Sequence, residues 1–116
     1  ISSGLNLKAT ATIHLKIYSK EYRETGSGNG GYDAFMSAVN KILKKLNIDS
    51  PELVDYQIRI PRGGKTNALT EAIITWQVNG KRLQTIGIDS DQVLAAVNAT
   101  LKLLNLQLLQ KNFQKQ

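Results

Sequence analysis

The chain nearly repeats itself, and no other feature constrains its fold as strongly. Residues 38–48, Ala-Val-Asn-Lys-Ile-Leu-Lys-Lys-Leu-Asn-Ile, lie over residues 96–106, Ala-Val-Asn-Ala-Thr-Leu-Lys-Leu-Leu-Asn-Leu, at a constant offset of 58 that also sets Asp33 on Asp91. Upstream, residues 11–26 lie over 72–87 at an offset of 61, so this alignment places three extra residues in the first glycine loop. One unit therefore occurs twice: strand, turn, strand, glycine loop, helix. A duplicated unit can build a pseudo-twofold domain whose equivalent loops face related places. That arrangement suits binding or an interface more readily than a single catalytic cleft.

The 116 residues suit one domain with a modest core. With no cysteine there is neither a disulfide framework nor a thiolate metal site, which fits a reducing, cytoplasmic setting. No apolar run in the sequence approaches the roughly 20 residues of a membrane span. The opening Ile1-Ser2-Ser3-Gly4 has neither a starting methionine nor signal-peptide character, so the expectation is a piece of a longer protein. The net charge of +6 raises a nucleic-acid reading. Its cations, among them Lys16, Lys20, Arg23, Lys41, Lys44, Arg59, Lys81 and Arg82, are scattered over solvated positions, and aromatic side chains for base stacking are few. Neither a nucleic acid nor a membrane is expected as a partner.

Ala11, Ile13, Leu15 and Ile17 alternate with polar residues, predicting a half-buried strand over 9–18. A polar strand over 20–25 pairs with it as a hairpin, and Gly26-Ser27-Gly28-Asn29-Gly30-Gly31 follows as a loop. From Tyr32 the period is helical, with Ala34, Phe35, Ala38, Val39, Ile42, Leu43 and Leu46 on one stripe and a stop near Asn47. Strands are expected over 54–60, 69–78 and 81–86. Gly63-Gly64 marks a turn between the first two of these, and Asn79-Gly80 a tight hairpin between the last two. A second helix starts at Asp91 and runs to about Leu106, and residues 107–116 either extend it or fray. The fold class is α+β, with strand-strand-helix repeated, an extra strand between the copies, and both helices expected on one side of antiparallel sheet. The domain organisation is a linker over 1–8, a domain over 9–106 made of repeats 9–48 and 54–106, and a tail over 107–116. Exposed β-branched and aromatic residues on both strand faces predict a homodimer.

Gly26-x-Gly28-x-x-Gly31 formally matches a dinucleotide fingerprint, but the polar strand before it is not the buried parallel strand that fold requires. Gly64-Lys65-Thr66 lacks the upstream glycine of a phosphate loop, where Arg59 stands. The single histidine, His14, sits mid-strand on the polar face, and no His, Asp and Glu set converges as metal ligands would. No catalytic residue and no cofactor is expected in this chain. The two helix starts differ. The second is expected to cap itself with Asp89, through a capping box with Gln92, and Asp91 suits its positive end. The first opens on Gly28-Asn29-Gly30-Gly31, whose backbone N–H groups could hold a carboxylate or phosphate.

Thr25-Gly26-Ser27-Gly28-Asn29-Gly30, Leu53-Val54-Asp55-Tyr56 and Gly87-Ile88-Asp89-Ser90-Asp91 together resemble the C-terminal regulatory domain of the α-isopropylmalate synthase and citramalate synthase family, over residues 9–106. The resemblance implies a parent enzyme whose N-terminal barrel, outside this sequence, condenses acetyl-CoA with a 2-oxo acid using a divalent metal. It further implies a dimerising domain that binds an end product, leucine or isoleucine, and inhibits that barrel at a distance. For an amino-acid effector, Gly28, Asn29, Gly30 and Gly31 would take the carboxylate. Gly87, Ile88, Asp89 and Asp91 would meet the ammonium, and Ala34, Val54, Tyr56, Ile58 and Ala68 would shape an apolar pocket. Two departures touch these positions: Gly31 stands where the family usually has proline, and Lys65-Thr66-Asn67 replaces its usual Thr-Asp turn. The rival class is a stand-alone basic RNA-binding domain, whose affinity would fall steeply with salt.

Overall fold

The alternation over the first strand becomes β1 (Ala9–Ile17), which turns at Tyr18-Ser19 into β2 (Lys20–Gly28). The computed structural model describes residues 8–60 and 69–114, so the turn expected around Gly63-Gly64, and Ala68, lie outside the described residues. After β2 come α1 (Gly31–Lys45), β3 (Glu52–Arg59), β4 (Thr70–Val78), β5 (Lys81–Asp89) and α2 (Gln92–Gln114). The chain divides into two units, Ile1–Ser50 and Pro51–Gln116. The architecture is α+β, as the sequence predicts, with the described strands in two antiparallel sheets: a pair, β1-β2, and a triplet, β3-β4-β5.

The repeat is real, but its register differs from the best sequence match. β1 and β4, β2 and β5, and the starts of α1 and α2 are all 61 positions apart. The buried positions of α1 are Ala34, Phe35, Ala38, Val39, Ile42 and Leu43; those of α2 at the same offset are Ala95, Ala96, Ala99, Thr100, Leu103 and Leu104. There are no extra residues in the first glycine loop. The offset of 58 misleads because sliding a helix by three residues turns its pattern by only about 60°, so the apolar stripe still overlaps itself. The structural register is fixed by what the helices rest on. A Cβ on Gly26 would fall 2.4 Å from the Ala38 nitrogen and 2.5 Å from the Ala34 oxygen. A Cβ on Gly87 would fall 2.0 Å from the Ala95 oxygen and 2.4 Å from the Ala99 nitrogen. Each unit thus sets a glycine of its second strand against two alanines one helical turn apart. A lysine nearly three turns into each helix repeats as well: Lys41 Nζ donates to the Thr25 carbonyl at 2.6 Å, and Lys102 Nζ to the Ile86 carbonyl at 2.5 Å.

These contacts also explain why both second strands are longer than predicted. β2 continues through Gly28 and β5 through Asp89, because each glycine still pairs with the neighbouring strand: Gly26 opposite Ala11, Gly28 opposite Ala9, and Gly87 opposite Ala72. In the first unit Lys45 pairs with Glu24 and holds its carboxyl below the usual carboxylate range, so the pairing is full above that range and lost as pH falls through the lowered value. In the second unit Ala72, Ile74 and Trp76 are fully buried, and Trp76 Nε1 donates to Thr85 Oγ1 at 2.9 Å. β3 adds an outer strand with a bulge between Leu53 and Asp55, tied to β4 by an Arg59–Glu71 ion pair at 2.7 Å. The sequence reads as having no run near the length of a membrane span, but Gln92–Lys111 of α2 is long and apolar enough to cross one by length and composition alone. Its buried stripe packs on β4 and β5, as the core helix of a globular domain does.

The two hairpins share one turn with unequal residues. Asn79 and Gly80 have φ of 50° and 77°, while at the equivalent places Tyr18 and Ser19 have φ of 50° and 69°. A two-residue turn with positive φ at both centres is natural for Asn-Gly and costly for larger L-residues. Replacing Tyr18-Ser19 by Asn-Gly is therefore expected to stabilise the protein by about 1–2 kcal/mol, read as a higher urea midpoint at unchanged slope.

Candidate functional site

In the first unit the candidate site is the passage from β2 into α1. Gly28 ends the strand, Asn29 is exposed, and Gly30 is the N-cap, with extended backbone at φ −146° and no side-chain cap. The first intrahelical bond runs from the Ala34 N–H to the Gly30 carbonyl at 3.0 Å. The backbone N–H groups of the opening turn therefore point out of the helix at its positive end. The glycines divide by role. A Cβ on Gly28 would stand 2.6 Å from the Asp33 Cβ and 2.8 Å from the Ala34 nitrogen, so Gly28 lets the strand lie against the helix start. A Cβ on Gly30 would meet nothing within 4 Å, so the surface there is open. Gly31 is the first helical residue and is exposed, whereas Ala34 is fully buried under β2. Asp33 is the one acidic residue of the first turn.

The equivalent passage in the second unit is closed by a side chain. Asp91, rather than Asp89, caps α2: its Oδ1 accepts the Leu94 N–H at 3.0 Å, and its carbonyl accepts the Ala95 N–H at 2.9 Å. The capping box read from Asp89 and Gln92 does not form, because β5 runs on through Asp89, opposite Thr70, and Gln92 is already the first helical residue. At the structural offset Asp91 is the counterpart of Gly30. The difference between the two helix starts seen in the sequence thus survives with one residue exchanged: aspartate caps one, glycine leaves the other open.

The other expected site residues lie in the second unit. Val54 sits at the β3 bulge, and Tyr56 and Ile58 oppose Ile74 and Ala72. Val54 and Tyr56 are each 37% exposed, which leaves an apolar surface on β3 that α2 does not cover. Burial raises the Tyr56 phenol above its ordinary pKa, so it stays protonated and able to donate across neutral pH. Gly87 is buried against Ala95 and Ala99, Ile88 is exposed, and Asp89 is half-buried at the strand end. Asn98 Nδ2 donates to the Ile88 carbonyl at 3.1 Å. Ala68 lies outside the described residues. Among the described residues no group of His, Asp and Glu is placed to hold a metal ion.

Sequence reasoning did not find the helix-bound roles of Gly26 and Gly87, or the matched lysines Lys41 and Lys102. The signal was present in Gly26 over Gly87 at offset 61, had that offset been carried on into the helices.

The sequence over residues 1–108 matches the family described as LeuA allosteric (dimerisation) domain. The chain belongs to that family. It is 33% identical to a 2-isopropylmalate synthase of Erwinia tasmaniensis over 105 residues, covering 90% of this chain and 19% of the relative. It is 32% identical to a 2-isopropylmalate synthase of Aquifex aeolicus over 113 residues, covering 97% of this chain and 21% of the relative. A relative from Methanosarcina acetivorans whose name includes (R)-citramalate synthase is 32% identical over 105 residues, 90% of this chain and 21% of that protein. This LeuA-type domain therefore spans about a fifth of the length of the curated relatives it matches. It is the dimerisation and regulatory domain type of the 2-isopropylmalate synthase family.

Proposed function

We propose that this domain is where leucine feeds back on a cytoplasmic 2-isopropylmalate synthase, and that it works as a homodimer. The domain itself does no chemistry in this reading. A barrel elsewhere in the parent chain joins acetyl-CoA to a 2-oxo acid with a divalent metal, and leucine held here lowers its rate. The observation that carries the effector reading is the asymmetry of the helix starts: Asp91 fills the anion position at α2, while the equivalent position at α1 carries Gly30 and no side-chain cap.

An amino acid offers a carboxylate, an ammonium and an apolar side chain. The open turn at Gly30 and Gly31 takes the carboxylate, positioned by Gly28 and Asn29 and by the buried Ala34 beneath them. The relative named for (R)-citramalate synthase supports a second reading, with isoleucine as effector and citramalate synthase as parent.

Calorimetric titration with leucine, isoleucine and valine tests this. Selective saturable leucine binding is expected, and at a hundredfold excess over Kd it stabilises the folded state by about 2.7 kcal/mol. Isoleucine preference would move the parent to citramalate synthase, and no binding by any of the three would sink the effector reading. Gly30→Asp copies the closed site into the open one. Its backbone is already extended and its Cβ has room, so the variant is expected to unfold slightly later, by up to about 1 kcal/mol. Its own carboxylate would occupy the anion position, so the leucine-dependent rise in melting temperature should disappear. A Gly30→Asp protein that still binds leucine normally would place the carboxylate elsewhere.

A further inference from the structure

We infer that the outer edge of β2 joins copies of this chain to one another, antiparallel and strand to strand about a twofold axis at Tyr22, as a contact separate from the surface that makes the dimer. It does not depend on which effector binds. Among the described residues β1 and β2 form a two-stranded sheet, so one rim of β2 has no strand beside it. Ile17 and Lys20 face each other across a two-residue turn. Such a closing pair is hydrogen-bonded, which directs the even-numbered residues of β2 toward β1. The odd-numbered residues therefore turn their backbone N–H and C=O groups outward. Lys41 Nζ reaches one of these, the Thr25 carbonyl, and closes the rim there. The open part is Lys20-Glu21-Tyr22-Arg23-Glu24, bounded by the turn on one side and by Lys41 on the other.

That segment is complementary to its own reverse. With Tyr22 set on the partner's Tyr22, Glu21 meets the partner's Arg23 and Lys20 meets the partner's Glu24, each pair occurring twice by symmetry. Backbone parity agrees: Glu21 and Arg23 point outward and form the bonded pairs, and Tyr22 falls between them. Moving the axis by one residue sets Arg23 on Arg23 or Glu21 on Glu21, and like charges directly opposite are destabilising. Glu21 and Arg23 are exposed; Glu21 touches His14 Nε2 at 3.3 Å with its side chain still 66% exposed. Glu24 is already bound to Lys45, and Lys20 Nζ lies 5.4 Å from the Tyr22 ring centroid, so the Glu21–Arg23 pairs carry the contact. α1 meets β2 at Gly28, Gly26 and Glu24, the half away from the axis. The equivalent rim of the second unit is built differently. Lys81-Arg82-Leu83-Gln84-Thr85 of β5 has cations and no acid, and Lys102 and Asn98 occupy the Ile86 and Ile88 carbonyls. Lysine-bearing edges of that kind resist pairing. Among the described residues the exposed large apolar side chains other than Tyr18 all lie in the second unit, where a lasting dimer would draw its apolar area. The charged β2 rim fits a second, weaker and salt-dependent contact.

Sedimentation velocity of the full chain tests this near 0.01 M ionic strength, where charges act over about 30 Å, and near 1 M, where they act over about 3 Å. A species of twice the high-salt mass is expected at low salt. The net charge of +6 opposes unspecific gathering there, so doubling reports local pairing. Glu21→Arg alone and Arg23→Glu alone should each weaken the doubling at least about tenfold, because each sets like charges opposite each other twice. Mixing these two variants should restore it, and so should Glu21→Arg with Arg23→Glu in one chain. The high-salt mass reports the dimer separately and should be the same for every variant. No doubling at low salt would overturn the proposal. So would single variants that associate like the wild type, or a mixture of the two that stays apart.

Discussion

Replacing Trp76 by alanine is expected to destabilise the second unit by about 3–5 kcal/mol, a large share of the roughly 5–15 kcal/mol that a domain has in total. Trp76 is fully buried, at the centre of a three-stranded sheet and under α2. Its removal leaves a cavity bounded by backbone on two sides, and β strands cannot collapse into it without losing register. The indole also donates to Thr85 Oγ1 at 2.9 Å, so truncation strands a hydroxyl on a buried residue. Two further variants separate volume from hydrogen bonding. Trp76→Phe keeps most of the ring but removes the donor, and should cost less than alanine. Thr85→Val keeps the shape and leaves the indole N–H unpaired, at about 1–3 kcal/mol. Urea unfolding followed by far-ultraviolet circular dichroism measures all three, since Trp76 is the only tryptophan and its fluorescence vanishes with it. A loss below about 1 kcal/mol for Trp76→Ala would mean that the second unit does not centre its core there.

The residues that made this fold legible were those whose neighbours in sequence are also their environment. Ile13, Leu15 and Ile17 alternate because one side of a strand is wet, and Asn79-Gly80 announces its turn because only such residues accept positive φ at low cost. Tyr18-Ser19 makes the same turn with no such signal, and only its place in the repeat identifies it. The helix register was illegible for a physical reason. Ala38-Val39-Asn40 and Ala96-Val97-Asn98 are alike in sequence, yet Ala38 is matched in the structure by Ala99, because the contact that decides is a strand glycine against a helix backbone, a long-range feature. Thr100 is the counterpart of Val39 and reads as a surface residue, but its hydroxyl bonds back to the Ala96 carbonyl at 2.8 Å and it is fully buried. At the candidate site the pattern Gly28-Asn29-Gly30-Gly31 was visible, while the division between a packing glycine and an open one was not. That division depends on what a Cβ would touch, which lies across the fold.

Gly87→Ala is expected to be nearly as damaging as loss of the indole, at about 3 kcal/mol or more, at or beyond the upper end of ordinary overpacking. The added methyl would sit 2.0 Å from the Ala95 carbonyl oxygen and 2.4 Å from the Ala99 nitrogen. Both are backbone atoms of α2, so no side chain can swing away. The helix must lift from β5, and with it go the cover over Trp76 and the Lys102 and Asn98 bonds to that strand. Gly26→Ala should act on the first unit in the same way and somewhat less severely, since its nearest contacts are 2.4 and 2.5 Å. Gly30→Ala is the control, with nothing within 4 Å of its Cβ and a backbone that any residue adopts; it should lose about 0.5–1 kcal/mol, the difference between glycine and alanine as caps. Chemical unfolding of the three variants should therefore rank Gly87→Ala below Gly26→Ala, and both well below Gly30→Ala. If Gly87→Ala and Gly26→Ala unfolded with the wild type, the helices would not be seated on these strands, and the offset of 61 that relates the two units would lose its physical cause.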